Sequence, residues 1–386
     1  MNQPFAPAEH PAALLRRQGL QRLIEALAAD GRRVLGPTLL DDAIVYDDIR
    51  GIDDLPAGWT ALQQPGRYRL QRRDDAALFG YAAAVQSWKR FVHPPRHTLW
   101  HMRLAEDGSL SLLDDDEAPQ PTAFIGVRPC ELRALQLLDR TLLDGPCPDS
   151  RYAARRAGCF IVAVHCTDPA DTCFCTSMHA DGPRAGGGFD LALTELLDAH
   201  GHGFVVEVGS EAGARMLERV PHEAADEARL QAARERVRRA AGAMHRSLPG
   251  DGLKQLLQDN PEHPRWQQVA ERCLACGNCT MVCPTCFCTT VQDHGDLQGS
   301  TAWRERAWDS CFTLEFSELH GGSVRAGTSS RYRHWMSHKL AHWFDEFGSS
   351  GCVGCGRCIT WCPAGIDITE EVAAMRGAAE NGHAGA

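Results

Sequence analysis

Eight of the seventeen cysteines form two copies of one spacing, C-x2-C-x2-C-x3-C-P, and this spacing constrains the fold more than any other feature. The first copy comprises Cys273, Cys276, Cys279 and Cys283, and the second comprises Cys352, Cys355, Cys358 and Cys362. The spacing is typical of proteins with two [4Fe–4S] clusters, in which three nearby cysteines hold one cluster and the fourth ligates the other. The chain is therefore predicted to fold around two clusters.

Exchange of the fourth cysteine gives each cluster a specific ligand set. One cluster is predicted to bind Cys273, Cys276, Cys279 and Cys362, and the other Cys352, Cys355, Cys358 and Cys283. The small residues at these loops are expected to let backbone N–H groups approach the cluster sulfurs; they are Ala275, Gly277, Gly354 and Gly356. Two zinc sites are the alternative, but zinc motifs usually pair C-x2-C units across a longer loop. The pattern favours iron–sulfur clusters.

Four further cysteines follow two predicted strands. Cys130 lies just after TAFIGV, and three others follow CFIVAVHC or end it: Cys166, Cys173 and Cys175. If the two strands are neighbours, the four thiolates meet at one end of a sheet, where open α/β sheets usually place their chemistry. We therefore predict a third [4Fe–4S] cluster there. The alternative is a set of buried free thiols, which is our interpretation of the isolated Cys147 and Cys159.

Three cysteines near the ferredoxin motifs, Cys286, Cys288 and Cys311, are not needed by any of these clusters. They are able to ligate a fourth cluster with an open iron, to exchange ligand duty with Cys283, or to lie beside a cluster and tune its potential. The sequence favours tuning. Lys339 is a further candidate, since positive charge near a cluster raises its reduction potential.

The chain divides into two predicted domains. Residues 1–245 read as an α/β domain with a mixed sheet, and residues 246–386 as a C-terminal α-helical ferredoxin domain, because the residues 284–351 between the motifs look mainly helical. Within the first domain, helices are predicted at residues 75–92, 130–143 and 190–201.

Composition excludes several classes of protein. A net charge of −10 over 386 residues argues against general nucleic-acid binding and against binding to anionic membranes. Apolar runs such as CFIVAVHC are too short to cross a bilayer, and the start of the chain lacks a signal-peptide pattern, so a cytoplasmic protein without membrane insertion is expected. Neither G-x-G-x-x-G nor a Walker A sequence occurs, so a nucleotide would be held by a partner.

Several phrases together carry a family resemblance, including WKRFVHPPRHTLW, GVRPCELRAL, DTCFCTSM, CLACGNCTMVCPTCFC and CVGCGRCITWCPAGIDI. Over about residues 85–370 the chain resembles the β subunits of soluble NAD(P)-linked [NiFe] sulfhydrogenases and is similar to the A subunits of anaerobic sulfite reductases. The helical segment between the motifs resembles the ferredoxin domains of fumarate reductase and heterodisulfide reductase subunits.

The resemblance implies an electron-transfer subunit without substrate chemistry of its own. Its partners would be a flavin- and [2Fe–2S]-bearing subunit that handles NAD(P)H and a catalytic subunit with a [NiFe] site or a sirohaem. Two alternatives stay open. One is a catalytic heterodisulfide- or polysulfide-type reductase with an open cluster near Cys286, Cys288 and Cys311. The other is a redox-sensing or zinc-structured interaction protein.

Overall fold

The computed structural model describes residues 12–113, 119–178, 182–199 and 201–383. Its strands, in chain order, are β1 (Ala13–Arg16), β2 (Arg33–Leu40), β3 (Ala43–Asp48), β4 (Trp59–Gln64), β5 (Arg67–Arg72), β6 (Arg96–Leu104), β7 (Leu110–Leu113), β8 (Thr122–Val127), β9 (Cys159–Val164), β10 (Leu191–Asp198), β11 (Gly201–Val208), β12 (Glu223–Ala224), β13 (Thr289–Gly295), β14 (Thr301–Trp308), β15 (Glu318–Leu319) and β16 (Gly322–Ser323).

The α-helices of the same residues are α1 (Arg17–Ala29), α2 (Lys89–Val92), α3 (Pro129–Leu142), α4 (Ser150–Ala157), α5 (Glu211–Glu218), α6 (Glu227–Gly242), α7 (Leu253–Asp259), α8 (Arg265–Ala270), α9 (Asn278–Met281), α10 (Thr328–Ser337), α11 (Trp343–Phe347), α12 (Arg357–Thr360) and α13 (Ile368–His383). A π-helical turn, His338–His342, joins α10 to α11. Among these helices none has the length and apolar composition needed to span a membrane.

An eight-stranded mixed sheet forms the centre of the first part of the chain. Its spatial order is β12-β1-β11-β10-β9-β8-β2-β3. Strands β2, β8, β9 and β10 run parallel, and the flanking strands pair antiparallel. Strands β8 and β9 are almost wholly buried, as is usual for parallel strands covered on both faces. The predicted mixed α/β fold is confirmed here.

The prediction of a helix at residues 190–201 is wrong, because this segment forms strand β10 (Leu191–Asp198). The strand pairs with β9 on one side and with β11 on the other. Its first six residues are buried, so the apolar run serves both faces of the sheet. A short apolar run of this kind does not distinguish a buried strand from a helix by periodicity alone.

The prediction of a helix at residues 75–92 is also wrong, apart from the short α2. The amides of Leu78 and Phe79 donate to the carboxylate of Glu195, at 2.7 and 2.9 Å. The Arg128 guanidinium donates to the carbonyls of Phe79 and Tyr81. Side chains that are remote in sequence therefore satisfy the buried peptide groups that a helix would have satisfied internally.

A second sheet, β13-β14-β6-β7, draws strands from both predicted domains. Strand β14 pairs antiparallel with β6, with an irregular register between Arg304 and Glu305. The helical expectation for residues 284–351 is therefore wrong for β13 and β14, although α10 and α11 follow. Cross-strand aromatic contacts stabilise the hairpin, since Trp303 stacks on His294 with ring centroids 5.1 Å apart.

Candidate metal centres

The first candidate centre, cavity A, is a space lined by apolar side chains, by the four thiols of the first predicted set and by Cys358 of the second. The thiols of the first set are Cys273, Cys276, Cys279 and Cys362. The backbone of Ala275 and Gly277 is left-handed, with φ of 51° and 72°, which turns the loop around the cavity. The Ala275 amide approaches the Cys273 sulfur at 3.4 Å. These four cysteines are the predicted first ligand set, including the exchanged Cys362.

Cavity B is lined by the four cysteines of the second predicted set: Cys283, Cys352, Cys355 and Cys358. The Gly354 amide lies 3.4 Å from the Cys352 sulfur, as the Ala275 amide does in cavity A. Cys283 belongs to the first motif, but it lines this cavity together with the cysteines of the second motif. The structure thus brings together both quartets in the exchanged arrangement.

Cavity C is lined by Cys130, Cys166, Cys173 and Cys175, the third predicted quartet. Strands β8 and β9 are parallel neighbours, so their carboxyl ends lie side by side. Cys130 follows β8 in the first turn of α3, and Cys166 follows β9. A helix N-terminus stabilises negative charge, which suits a thiolate at Cys130. The remaining two cysteines lie in the loop beyond Cys166.

The loop that carries Cys173 and Cys175 interlocks with the second ferredoxin motif. Gly354 accepts a hydrogen bond from the Phe174 amide at 2.9 Å. A Cβ atom on Gly354 would lie 2.6 Å from the backbone of Cys175, and one on Gly356 would lie 2.3 Å from the Thr172 carbonyl oxygen. These two glycines were expected to let backbone amides approach the cluster sulfurs, and their missing side chains also make room for the cavity C loop.

The three cavities lie in the order A, B, C. Cys358 lines both cavity A and cavity B, and Cys355 lines both cavity B and cavity C. The charge interactions agree, because a thiolate at Cys279 raises the pKa of Cys358, and one at Cys355 raises the pKa of Cys130, each in addition to the larger effect of burial. Each neighbouring pair of cavities therefore shares one lining cysteine.

The donor set fits [4Fe–4S] clusters. The three cavities contain about 440, 310 and 310 Å³ of atom-free space. In the described part of the chain, no three His, Cys, Asp or Glu side chains converge tightly enough to hold a single metal ion. A zinc ion would draw four sulfurs to about 2.3 Å from one point, whereas a cluster takes each thiolate at a different corner. Burial raises the pKa of the Cys173 and Cys352 thiols to about 12, so thiolates at these positions need a compensating cation.

Two buried arginines stand beside cavities B and C. Arg128 is fully buried and lines cavity C. Arg133, which follows Cys130 in α3, is half-buried and donates to the Gln136 side chain at 3.2 Å. Arg357 follows Gly356 and forms a buried ion pair with Glu131, the neighbour of Cys130. No pattern in the sequence predicted this ion pair.

Cys286, Cys288 and Cys311 all lie near Lys339, a buried lysine that lines cavity B, and the first two also lie near the buried Lys89. The Cys286 thiol is in hydrogen-bond contact with Cys283, and this contact, with the charge of Lys339, holds the pKa of Cys283 well below its usual value. Burial raises the pKa of Cys311 to about 12, and Cys288 lies near it. Lys89 donates to the carbonyls of Cys283 and Cys286, at 3.0 and 2.8 Å.

The two isolated cysteines do not take part in any of the three cavities. Cys147 is exposed, and the Cys159 thiol donates to the Arg155 carbonyl at 3.2 Å. The expectation of a buried thiol is wrong for Cys147, because its side chain is exposed. The two isolated cysteines supply matched controls for substitutions of the cavity cysteines.

Comparison with known proteins gives two findings. A family model described as a 4Fe-4S dicluster domain matches residues 272–366, which contain all eight cysteines of cavities A and B. The chain is 31% identical over 338 residues to a protein of Pyrococcus furiosus named sulfhydrogenase 2 subunit beta, a match that covers 87% of this chain and 90% of that relative. No solved structure matches the chain significantly.

Proposed function

The chain belongs to the family of sulfhydrogenase beta subunits and is an iron–sulfur electron-transfer subunit, and from this premise we propose that it carries three [4Fe–4S] clusters in a line between two partner subunits. The observation that carries the proposal is the row of cavities A, B and C, in which each neighbouring pair of cavities has one lining cysteine in common. A [4Fe–4S] cluster supplies reversible electron uptake over a wide range of potentials.

Each quartet would hold one cluster. We assign Cys273, Cys276, Cys279 and Cys362 to cavity A; Cys283, Cys352, Cys355 and Cys358 to cavity B; and Cys130, Cys166, Cys173 and Cys175 to cavity C. Support comes from the four thiols of each quartet, which line the same cavity, and from the backbone amides of Ala275 and Gly354 near the sulfurs of Cys273 and Cys352. Most of the other residues that line cavities B and C are apolar.

The partners follow from membership in a multi-subunit family. We propose a flavin- and [2Fe–2S]-bearing NAD(P)H subunit on one end of the row and a catalytic subunit with a [NiFe] site or a sirohaem on the other. Cavity A is one such end, because Cys276 is exposed there and the neighbouring Leu274 is 68% exposed. An electron entering or leaving at this surface passes through cavity B before it reaches cavity C.

Iron and acid-labile sulfide analysis tests the number of clusters. The purified chain is expected to contain about twelve irons and about twelve sulfides. Replacing Cys173 with serine removes one ligand of cavity C and is expected to lower the iron content to about eight. The signals of the other two clusters in electron paramagnetic resonance spectra are expected to persist.

Cys147→Ser is the matched control, since Cys147 is an exposed free thiol away from all three cavities. Its iron content should equal that of the unmodified chain. An unmodified chain with about eight irons, or a Cys173→Ser variant that keeps about twelve, would contradict the cluster in cavity C. Zinc without sulfide would contradict the whole proposal.

A catalytic fourth cluster near Cys286, Cys288 and Cys311 is the competing function. The buried ammonium groups of Lys89 and Lys339 lie among these thiols, which supports a tuning role for them instead. About sixteen irons per chain would favour the catalytic alternative. So would a Cys311→Ser variant that loses reductase activity while its iron content stays unchanged.

A further inference from the structure

Lys339 places a buried ammonium group directly beside cavity B. The side chain extends from the π-helical turn His338–His342, and the residue is 5% exposed. Its Nζ donates to the Thr285 hydroxyl oxygen at 2.9 Å and to the Gly351 carbonyl at 3.2 Å. Thr285 follows Cys283 by two residues, and Gly351 precedes Cys352. Lys339 therefore joins the two segments that bring ligands to cavity B.

The Thr285 hydroxyl has three neighbours but one hydrogen to donate. It accepts from Lys339, lies 2.6 Å from the Gly351 carbonyl oxygen and lies 3.3 Å from the Cys283 sulfur. As a thiol, Cys283 is itself able to donate to Thr285. As a metal-bound thiolate it has no hydrogen, so a hydrogen bond between the two requires the hydroxyl to be the donor.

Lys339 allows the Thr285 hydroxyl to donate to Cys283 without leaving the Gly351 carbonyl unpaired. If the Thr285 hydrogen turns to Cys283, the Gly351 carbonyl still accepts from Lys339 at 3.2 Å. A buried carbonyl without a donor would otherwise cost about 1–3 kcal/mol. The ammonium has three hydrogens, which is enough for Thr285 and Gly351 together.

We propose that Lys339 and Thr285 form a hydrogen-bond relay that donates to the Cys283 thiolate and raises the reduction potential of the cluster in cavity B. This inference rests on the proposed function, since it assigns Cys283 to that cluster. Donation to a ligand sulfur and nearby positive charge both favour the reduced, more negative state of a cluster. Lys339 and Thr285 are positioning residues, because they act through Cys283.

The two ferredoxin motifs provide an internal comparison. Thr285 stands two residues after Cys283, and the corresponding residue after Cys362 is Ala364, which has no hydroxyl. The fourth cysteine of the second motif therefore lacks a hydroxyl donor at this position. The relay is specific to cavity B, and Thr285→Ala converts its site to the form found at Ala364.

Redox titration of the full-length, iron-loaded protein, followed by electron paramagnetic resonance, tests the relay. Thr285→Ala and Lys339→Met are each expected to shift one cluster signal to lower potential, the same signal that Cys352→Ser perturbs. Thr285→Ser keeps the hydroxyl and should have the same midpoint potential as the unmodified protein. Lys254→Met is the matched control, because it removes a lysine whose ion pair with Asp345 lies at the surface.

The relay and the function on which it rests are contradicted by different results. Unchanged midpoints in Thr285→Ala and Lys339→Met, at full iron content, would overturn the relay alone. An equal downward shift in Thr285→Ser and Thr285→Ala would also overturn it, since the hydroxyl would then be irrelevant. An unmodified chain with well under about twelve irons would contradict the proposed function instead.

Discussion

Replacing Arg357 with methionine is expected to destabilise the protein by about 3–5 kcal/mol, because it strands a buried carboxylate. Arg357 and Glu131 are both 1% exposed and form an ion pair. Burial raises the pKa of Glu131 even with the guanidinium present, so the carboxylate depends on its partner. The variant also removes the donor to the Ala84 carbonyl at 2.9 Å.

Because the Arg357–Glu131 pair joins the segments that carry cysteines of cavities B and C, its loss is also expected to weaken cluster binding. Glu131 follows Cys130 of cavity C, and Arg357 lies between Cys355 and Cys358 of cavity B. Glu131 also accepts from the Trp88 amide at 3.1 Å, in the buried loop that runs over the sheet. We therefore expect the Arg357→Met variant to lose cluster absorbance at a lower urea concentration than the unmodified protein.

Two further variants identify the cause. Adding Glu131→Gln to Arg357→Met neutralises the stranded charge, keeps an acceptor for Trp88 and should recover part of the lost stability. Arg33→Met breaks the half-exposed pair between Arg33 and Asp48, and exposed pairs contribute about 0–1 kcal/mol. An Arg357→Met variant no less stable than Arg33→Met would show that the buried pair does not hold the cavities together.

The grouping of the twelve cysteines around three cavities was the part of the site most accessible from sequence. Spacing predicted the exchange of Cys283 and Cys362, and both lie in the cavities where the exchange requires them. The third quartet needed one condition, namely that the strands before Cys130 and Cys166 be neighbours. Strands β8 and β9 meet that condition. Local patterns were sufficient because strand ends and loop spacings are themselves local.

The errors arose where distant residues decide the conformation. The loop at residues 75–92 has a helix-like composition, but the carboxylate of Glu195 and the guanidinium of Arg128 bind its peptide groups. Strand β14 depends on pairing with β6, about two hundred residues earlier in the chain, and β13 pairs with β14. Thr285 carried no recognisable signal, since its role depends on Lys339 and Gly351 in space.

Gly354→Ala is expected to be among the most damaging single substitutions and to act on cavity C although it lies in the motif of cavity B. Gly354 has φ of 67°, where a side chain costs about 1–2 kcal/mol. The added Cβ would also lie 2.6 Å from the backbone of Cys175, where no side chain end is available to move aside. We expect this overpacking to cost about 1–3 kcal/mol more and to displace the Cys173–Cys175 loop.

Gly348→Ala separates the cost of the left-handed backbone from the cost of overpacking. Gly348 has nearly the same φ, 68°, but a Cβ there meets nothing within 4 Å. The stability of the Gly348→Ala variant should therefore fall by the backbone cost alone, as measured by its urea midpoint, and the variant should keep about twelve irons. Gly354→Ala should have a lower midpoint and about eight irons, because its displaced loop carries two ligands of cavity C. Equal midpoints and equal iron contents in the two variants would mean that the interlock between the second ferredoxin motif and the α/β domain does not position the third quartet.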